Sequence, residues 1–393
     1  MSEILLLAGI VVAVFVGYNI GGATTGPAFG PAVGANVITK VAAAALMSVF
    51  FFVGAWTIGP QVVDTLGNRL VTDSAISTLE ANVAVLFFIG GALFIGNYAG
   101  VPASTSMTAV GAIAALGLAT GELDMAVLGE IVIWWFVAPV IGFWVSGVIG
   151  RYFYPQINAW IAIEPNRDGD PMLSMQRSGP VPTVGFSEGA SRRKKIGALV
   201  VVAIGCLMAF SSGTSNIANA IAPIYGAGGL EMGPLIVIGS IAVAVGAFTI
   251  ARRTLDTLGN DITKLPLTAA IVVAVVSSTI VIFLSAIGIP ASFVVVATMS
   301  IVGLGWGRAT RTTRLSDAAR GEEPAVSVGA LTRDEAGEEP PEIGEEDVSD
   351  IPQASDLFDP STTARVVLMQ NVVPLISTVA AFLTFRFVPL FGF

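Results

Sequence analysis

The sequence predicts an all-α polytopic membrane protein, with about ten spans in two inverted-topology repeats that contain broken or re-entrant helices. Three observations favour this fold class. Of the 393 residues, 54% are hydrophobic and only 12% are charged, which is about half the charged fraction of a soluble protein. The apolar residues lie in long runs, and three short strings recur in the same order along the chain.

The composition excludes several classes of chemistry. The chain has no histidine, and Cys206 is its only cysteine. Zinc sites, imidazole-bound haem, and Ser-His-Asp or Cys-His catalysis therefore lack their residues. We expect neither an enzymatic reaction nor a cofactor.

Ten apolar stretches are candidate spans. Eight of them approach the ~20 residues that a helix needs to cross ~30 Å of hydrocarbon. These eight are 4–20, 41–60, 81–96, 126–150, 196–210, 233–251, 267–287 and 366–385. Two more, 101–121 and 290–306, are apolar and open with proline. The first run is interpreted as a span and not as a signal peptide, because no basic n-region precedes it.

Basic residues predict the orientation in the cell membrane, since Lys and Arg are retained on the cytoplasmic side. With ten spans and the N-terminus outside, 17 of the 19 basic residues fall in the cytoplasm, and only Arg69 and Arg386 do not. The basic clusters are interpreted as topology signals and lipid-headgroup contacts. No nucleic-acid partner is expected.

The predicted organisation consists of two membrane repeats and two cytoplasmic loops. In chain order, these are a first repeat (1–150), a basic linker (151–195), the first part of a second repeat (196–306), an acidic loop (307–361) and a last span (362–393). Residues 321–359 contain thirteen acidic side chains. Such a segment buries too little apolar surface to fold, so we expect a flexible tether.

Three landmarks indicate the internal repeat. They pair 64–68 with 256–260, 100–104 with 288–292, and 19–20 with 216–217, at offsets of 192, 188 and 197 residues. Because each half contains five spans, the second half must enter the membrane from the opposite side. Inverted repeats of this kind build secondary transporters around a central site.

Two kinds of helix break are predicted at membrane depth. The first, at 17–27 and 211–220, combines glycine, proline, hydroxyls and asparagine, and predicts a helix that ends near mid-membrane before a re-entrant piece. The second, at 101–106 and 289–293, predicts a capped helix start that points into the membrane and attracts anions. The structural alternatives are close packing through small residues and ordinary capping.

These residues resemble the PiT family of inorganic phosphate transporters, and within it the branch of sulfate permeases. Residues 213–220 are similar to the family string Gly-Ala-Asn-Asp-Val-Ala-Asn-Ala, with a degenerate copy at 17–23. Residues 102–106 are similar to the family string Pro-x-Ser-Thr-Thr. At the aspartate of the family string, this alignment places Asn19 and Asn216.

The resemblance implies a secondary active transporter that imports a small inorganic tetrahedral oxyanion, with sulfate favoured and phosphate as the alternative. Sulfate is fully deprotonated and needs only donors, so neutral amides suit it better than a carboxylate does. The implied substrate-binding residues are Ser104, Thr105, Ser106, Asn19, Asn216 and Asn219, followed by Thr24, Thr25, Ser212, Thr214 and Ser215.

Several alternatives stay open at this point. An anion channel would share the composition, whereas an intramembrane enzyme lacks a base for its serines. A membrane scaffold would not explain paired helix breaks. The sequence decides neither the coupling ion (sodium or proton) nor the oligomeric state, a homodimer included.

Overall fold

The computed structural model describes residues 2–72, 76–98, 104–161, 172–176, 183–186, 192–250, 267–309 and 360–388. Within these ranges the chain forms twelve α-helices and one hairpin. The helices are α1 (Ser2–Gly34), α2 (Lys40–Thr57), α3 (Gly59–Asp64), α4 (Leu79–Tyr98), α5 (Thr105–Thr120), α6 (Met125–Val148), α7 (Tyr154–Ile161), α8 (Arg192–Gly226), α9 (Met232–Thr249), α10 (Leu267–Ala286), α11 (Phe293–Ala309) and α12 (Pro360–Phe387).

The fold is that of a nearly all-helical, multi-pass membrane protein, as predicted. Among the described residues, seven helical stretches are long and apolar enough to cross a membrane. They are Glu3–Gly34, Lys40–Thr57, Leu79–Tyr98, Met125–Asn158, Lys194–Gly226, Met232–Thr249 and Thr268–Ala286. Helices α5 and α11 are apolar but shorter. A total of ten spans stays a prediction.

Helices α1 and α8 correct the first kind of predicted break. Helix α1 runs without interruption through 17–27, and α8 runs without interruption through 211–220. The prediction of a helix end and a re-entrant piece at these two places is therefore wrong. Gly17, Gly21 and Gly213 lie against the backbone of neighbouring helices, so these small residues allow close packing.

Close helix packing occurs twice in the same pattern. A Cβ at Gly21 of α1 would overlap the Val243 carbonyl of α9, and a Cβ at Gly213 of α8 would overlap the Phe51 carbonyl of α2. Gly246 and Gly54 make the reciprocal approaches from α9 and α2. Gly21 and Gly213 are 192 residues apart, as are Gly54 and Gly246. The two interfaces are thus built at equivalent positions of the two halves.

The first helices of the two halves run in opposite directions. A Cβ at Gly9 near the start of α1 would lie 3.3 Å from Ile224 near the end of α8. At the other end of the pair, a Cβ at Gly205 would lie 2.6 Å from the Phe29 ring. Antiparallel α1 and α8 are what an inverted repeat requires.

The linker between the halves contains structure that the all-α prediction missed. Helix α6 continues through a π-helical turn, Ile149–Phe153, into α7. Strands β1 (Leu173–Gln176) and β2 (Thr183–Phe186) then form an antiparallel hairpin. The hairpin is anchored to the α1–α2 loop, where the Leu173 amide donates to the Val37 carbonyl at 2.9 Å. The second repeat string, 256–260, and the acidic residues 321–359 lie outside the described residues.

Candidate functional site

Helix α5 begins at a buried run of hydroxyls. Ser104 is the N-cap, and its Oγ accepts a hydrogen bond from the Met107 amide at 3.3 Å. Thr105 and Ser106 form the first turn, and both are buried. The predicted capped helix start is confirmed here, at the end of the helix where unpaired amides and the dipole favour negative charge.

The equivalent segment of the second half lies between α10 and α11. Gly288 has a φ of +82°, which ends α10 in a left-handed turn. The Ile289 amide donates back to the Leu284 carbonyl at 2.8 Å. Residues 289–292 are buried, and α11 then starts at Phe293. A second helix N-terminus therefore follows directly on a short, irregular, buried backbone segment.

Helix α8 brings its polar face to both helix starts. Thr105 Oγ1 donates to Asn216 Oδ1 at 2.6 Å. Ser215 Oγ donates to the Ala291 carbonyl at 2.9 Å and accepts from the Ala291 amide at 3.2 Å. Ser106 Oγ donates to the same Ala291 carbonyl at 3.1 Å and lies 3.4 Å from Ser215 Oγ. One α8 segment thus joins a helix start from each half.

Two asparagines complete this arrangement. Asn216 Nδ2 donates to Ser212 Oγ at 2.9 Å, and Asn219 Nδ2 donates to Asn216 Oδ1 at 3.2 Å. Asn219 Nδ2 also lies 3.5 Å from Ser106 Oγ. Hereafter the polar cluster means the side chains of Thr105, Ser106, Ser212, Ser215, Asn216 and Asn219 together with the backbone of Ala291.

The side-chain oxygen of Asn219 is a buried acceptor within the polar cluster. Asn219 is fully buried, and its Oδ1 has no hydrogen-bond partner in the described part of the chain. A buried amide oxygen without a partner costs about 1–3 kcal/mol. An unsatisfied group of this kind in a native fold requires an explanation, and a bound water or ion is one that structures commonly supply.

The cluster contains no charged side chain, so it can give an anion hydrogen bonds but no opposite charge. Its hydroxyls can each donate once after rotation, and its amides present two further donors each. The dipoles of α5 and α11 place partial positive charge at the same spot. Among the described residues no group of His, Cys, Asp and Glu could hold a metal. Any hard cation here would have to be held by amide, hydroxyl and carbonyl oxygens.

Several predicted site residues lie elsewhere. Asn19 is buried on α1 and accepts from Asn97 of α4 at 3.0 Å, and its own amide donates to the Phe15 carbonyl. The hydroxyls of Thr24 and Thr25 donate to carbonyls one turn earlier in α1. The structure therefore does not bring these three α1 side chains into the polar cluster by hydrogen bonding.

Two further candidates have structural partners. Thr214 Oγ1 donates to the Ser211 carbonyl at 2.8 Å and lies 3.1 Å from Ser285 Oγ on α10. Ser104 acts as the α5 cap, and its carbonyl accepts from Thr108 Oγ1 at 2.7 Å. Of the eleven predicted residues, the cluster holds Thr105, Ser106, Ser212, Ser215, Asn216 and Asn219.

The register between the repeats also differs from the predicted one. The glycine contacts place Gly21 opposite Gly213, an offset of 192 residues. At that offset the counterpart of Asn216 is Thr24, and Asn19 corresponds to Ser211. The predicted pairing of Asn19 with Asn216 is therefore wrong, because a matching Asn-Ile pair was aligned in place of the packing glycines.

The sequence analysis missed two contributions to the site. The Ala291 peptide groups bind Ser106 and Ser215, but a backbone contribution has no residue signature. Trp135 of α6 donates its indole N–H to the Pro290 carbonyl at 2.9 Å. A tryptophan in an apolar span looks like a lipid-facing residue, so only the tertiary structure could reveal this contact.

Comparison with known proteins agrees with this fold and identifies a family. The model of the "Phosphate transporter family" matches residues 20–331. The chain is 30% identical over 306 residues to the sulfate permease CysP of Bacillus subtilis, covering 77% of each protein. It is 25% identical to a putative phosphate permease of Chlamydia trachomatis, covering 79% of this chain and 92% of that one.

A solved structure has the same fold. It is entitled "The sodium-dependent phosphate transporter" and superposes with a TM-score of 0.65 at 18% identity, covering 98% of this chain and 99% of the other. At this identity the likeness concerns the fold alone. The predicted relationship to phosphate and sulfate permeases is confirmed by these matches together.

Proposed function

The chain belongs to the phosphate transporter family, and from this premise we propose that it is a secondary transporter of a small tetrahedral oxyanion, with sulfate as the preferred substrate. The polar cluster is the proposed binding site. In this proposal the N-terminus faces the outside, and the basic loops face the cytoplasm.

One observation carries the proposal: two helix N-termini, one from each half, meet a donor-rich face of α8 deep in the protein. Thr105 and Ser106 belong to the α5 start, and Ala291 lies two residues before the α11 start at Phe293. Half-helix N-termini directed at an anion are the recurring way in which transporters with repeats hold anionic groups. In the structure, the Ser106 and Ser215 hydroxyls both donate to the Ala291 carbonyl.

Binding would redirect donors that are already in place. The hydroxyls of Ser106 and Ser215 need only rotate about χ1 or the C–O bond to turn from the Ala291 carbonyl towards an anion. Hydrogen bonds to a charged group contribute about 1.5–3 kcal/mol each. Because the cluster has no carboxylate, it would not repel a fully deprotonated dianion.

Phosphate is the second candidate substrate, and the side-chain oxygen of Asn219 favours it. Near neutral pH phosphate retains a proton and therefore has a donor of its own. Asn219 Oδ1 is a buried acceptor inside the cluster with no hydrogen-bond partner among the described residues, and it could accept that hydrogen bond. Relatives named phosphate permeases add weight to this alternative.

The position of the cluster supports alternating access. Thr105 and Ser106 lie in the first half, whereas Ser215, Asn216 and the Ala291 backbone lie in the second. Motion of one half against the other would therefore open the site on one side and then the other. A pore lined by one half would not need these contacts between halves.

Uptake into proteoliposomes tests the proposal. The purified protein would be reconstituted, and uptake of radiolabelled sulfate and phosphate measured with sodium and proton gradients imposed separately. We expect saturable sulfate uptake that unlabelled sulfate on the opposite side accelerates. Trans-acceleration distinguishes a carrier from an anion channel. Phosphate uptake with weak sulfate competition would make the second candidate the substrate, and no uptake of either anion would refute both.

A further inference from the structure

Trp135 lies on α6, outside the polar cluster, yet it contacts the segment that the cluster uses. Its indole N–H donates to the Pro290 carbonyl at 2.9 Å across 155 positions of the sequence. The Pro290 carbonyl and the Ala291 amide are the two ends of one peptide group. Trp135 therefore holds one edge of the peptide plane whose other edge donates to Ser215 Oγ.

The buried segment after α10 has few other hydrogen-bond partners for its backbone N–H and C=O groups. Irregular backbone inside a membrane protein survives only where each N–H and C=O finds a partner. The Ile289 amide bonds to Leu284, Pro290 has no N–H, and the Ala291 groups bond to Ser106 and Ser215. In the described part of the chain, the indole of Trp135 is the partner of the Pro290 carbonyl.

We infer that Trp135 is a positioning residue of the anion site, which fixes the Pro290–Ala291 peptide plane and thereby the direction of Ser215, whose Oγ accepts from the Ala291 amide of that plane. A planar peptide rotates as one unit. If the indole N–H is lost, the plane is held from the Ser215 side alone, and the buried Pro290 carbonyl would turn towards another donor. Ser215 Oγ lies at the opposite edge of the same peptide group, so a rotated carbonyl would turn towards the cluster and compete with the anion for its donors.

The packing of α6 supports this role, because α6 and α11 run parallel and pack closely. A Cβ at Gly303 of α11 would overlap the Phe143 carbonyl of α6, and one at Gly142 would lie 2.8 Å from Ser300 Oγ. The position of α6 relative to α11 is therefore fixed by close contact, and Trp135 of α6 lies beside the segment that precedes α11. This places Trp135 on a rigid support next to a segment with no regular structure.

The chain offers a matched control in the neighbouring tryptophan. Trp134 and Trp135 are both half-buried and pack against the same core. The Trp134 ring makes an edge contact with Phe283, at 6.4 Å between centroids. Replacing either residue with phenylalanine keeps an aromatic ring of smaller size, but only Trp135→Phe removes the donor to Pro290.

The transport test rests on the proposed function. In proteoliposomes, Trp135→Phe should raise the KM for sulfate by about three- to tenfold, the effect of one lost hydrogen bond, with the maximal rate within about twofold of wild type. Trp134→Phe should leave both values near wild type. Combined with Ser215→Ala, Trp135→Phe should raise KM by less than the product of the single effects, because both act on one peptide group. Multiplicative effects, or equal KM values for the two phenylalanine variants, would overturn the inference.

A second measurement needs no transport. Cys206 is the only cysteine, so Cys206→Ala gives a background in which Ala291→Cys introduces a single thiol next to the peptide group. Labelling by a small methanethiosulfonate reagent should be about threefold or more faster when Trp135→Phe is added, and unchanged when Trp134→Phe is added. Faster labelling without any anion uptake would support the positioning of the peptide group by Trp135 and reject the proposed transport function. Unchanged labelling beside normal wild-type uptake would reject Trp135 alone.

Discussion

The two repeat-related segments of α1 and α8 have the same backbone conformation and differ in the contacts that their side chains make. Residues 19–28 of α1 and 211–220 of α8 are both continuous helix, and each presents a glycine to the backbone of a neighbouring helix. Every residue of the α8 segment is buried, whereas Thr24 is half-buried. The α8 hydroxyls and amides reach across to other elements, but the α1 threonines bond to their own helix. The packing is shared by both copies, whereas the side chains that contact the helix starts of α5 and α11 belong to α8.

The largest expected effect tests the shared packing. Gly21→Ala and Gly213→Ala should each destabilise the protein by about 3 kcal/mol, because the new Cβ overlaps a neighbouring carbonyl that belongs to another helix. Thermal unfolding of the purified variants in detergent would measure this loss of stability. Gly30→Ala is the control on the same helix as Gly21, since a Cβ there meets nothing within 4 Å and alanine suits a helix better than glycine. Equal stability of all three variants would show that the glycines do not set the packing.

The next effect tests the difference in chemistry. Ser106→Ala and Ser215→Ala should each weaken sulfate binding about ten- to hundredfold, since each removes a donor worth about 1.5–3 kcal/mol to a charged ligand. Thr25→Ala, which removes a buried hydroxyl that bonds within α1, should change affinity by less than about threefold. Binding can be followed by calorimetry on the purified protein. If Thr25→Ala weakens binding as much as the serine variants, the site extends onto both copies.

The fold was predictable because it depends on properties that a linear sequence displays. Apolar runs predict helices, and each predicted run overlaps a helix of the structure, although 41–60 is divided between α2 and α3 and 290–306 begins before α11. The hydroxyls at 104–106 predicted the capped start of α5, because proline and consecutive hydroxyls are typical of a helix N-terminus. The alternation of basic loops predicted opposite directions for the two halves, and α1 and α8 are antiparallel.

What could not be predicted depends on tertiary contact. Glycine at 21–22 is compatible with a broken helix and with a close helix crossing, and only the neighbouring backbone of α9 decides for the crossing. The sequence predicts Asn19 in the site because burying a polar side chain in a membrane costs free energy and usually serves a function. In the fold it instead meets Asn97 of α4. A polar residue at membrane depth needs a partner, but the sequence does not say whether the partner is protein or ligand.

A smaller effect tests which asparagine influences selectivity. Asn216→Asp places a carboxylate in the polar cluster, where it would repel sulfate more than a proton-bearing anion. We expect the ratio of sulfate to phosphate uptake to fall about tenfold, which corresponds to about 1.4 kcal/mol. Asn19→Asp should leave that ratio unchanged even if total uptake falls, because Asn19 bonds to α4 and to its own helix. A fall in the ratio for Asn19→Asp alone would return Asn19 to the site.

The smallest effect concerns the two helix starts that flank the cluster. Ser104 caps α5 through an Oγ that lies 3.3 Å from the Met107 amide, and Ser292 lies 3.5 Å from the Val295 amide at the start of α11. A lost cap costs about 1 kcal/mol of stability, and the longer contact at Ser292 should cost less. Ser104→Ala should therefore lower the thermal midpoint slightly more than Ser292→Ala does, while sulfate affinity stays within about twofold of wild type in both. Ser104→Thr keeps a capping hydroxyl and should restore the midpoint. A tenfold loss of affinity in Ser104→Ala, reversed by Ser104→Thr, would show that this hydroxyl leaves the Met107 amide to bind the anion, and the site would then include the cap itself.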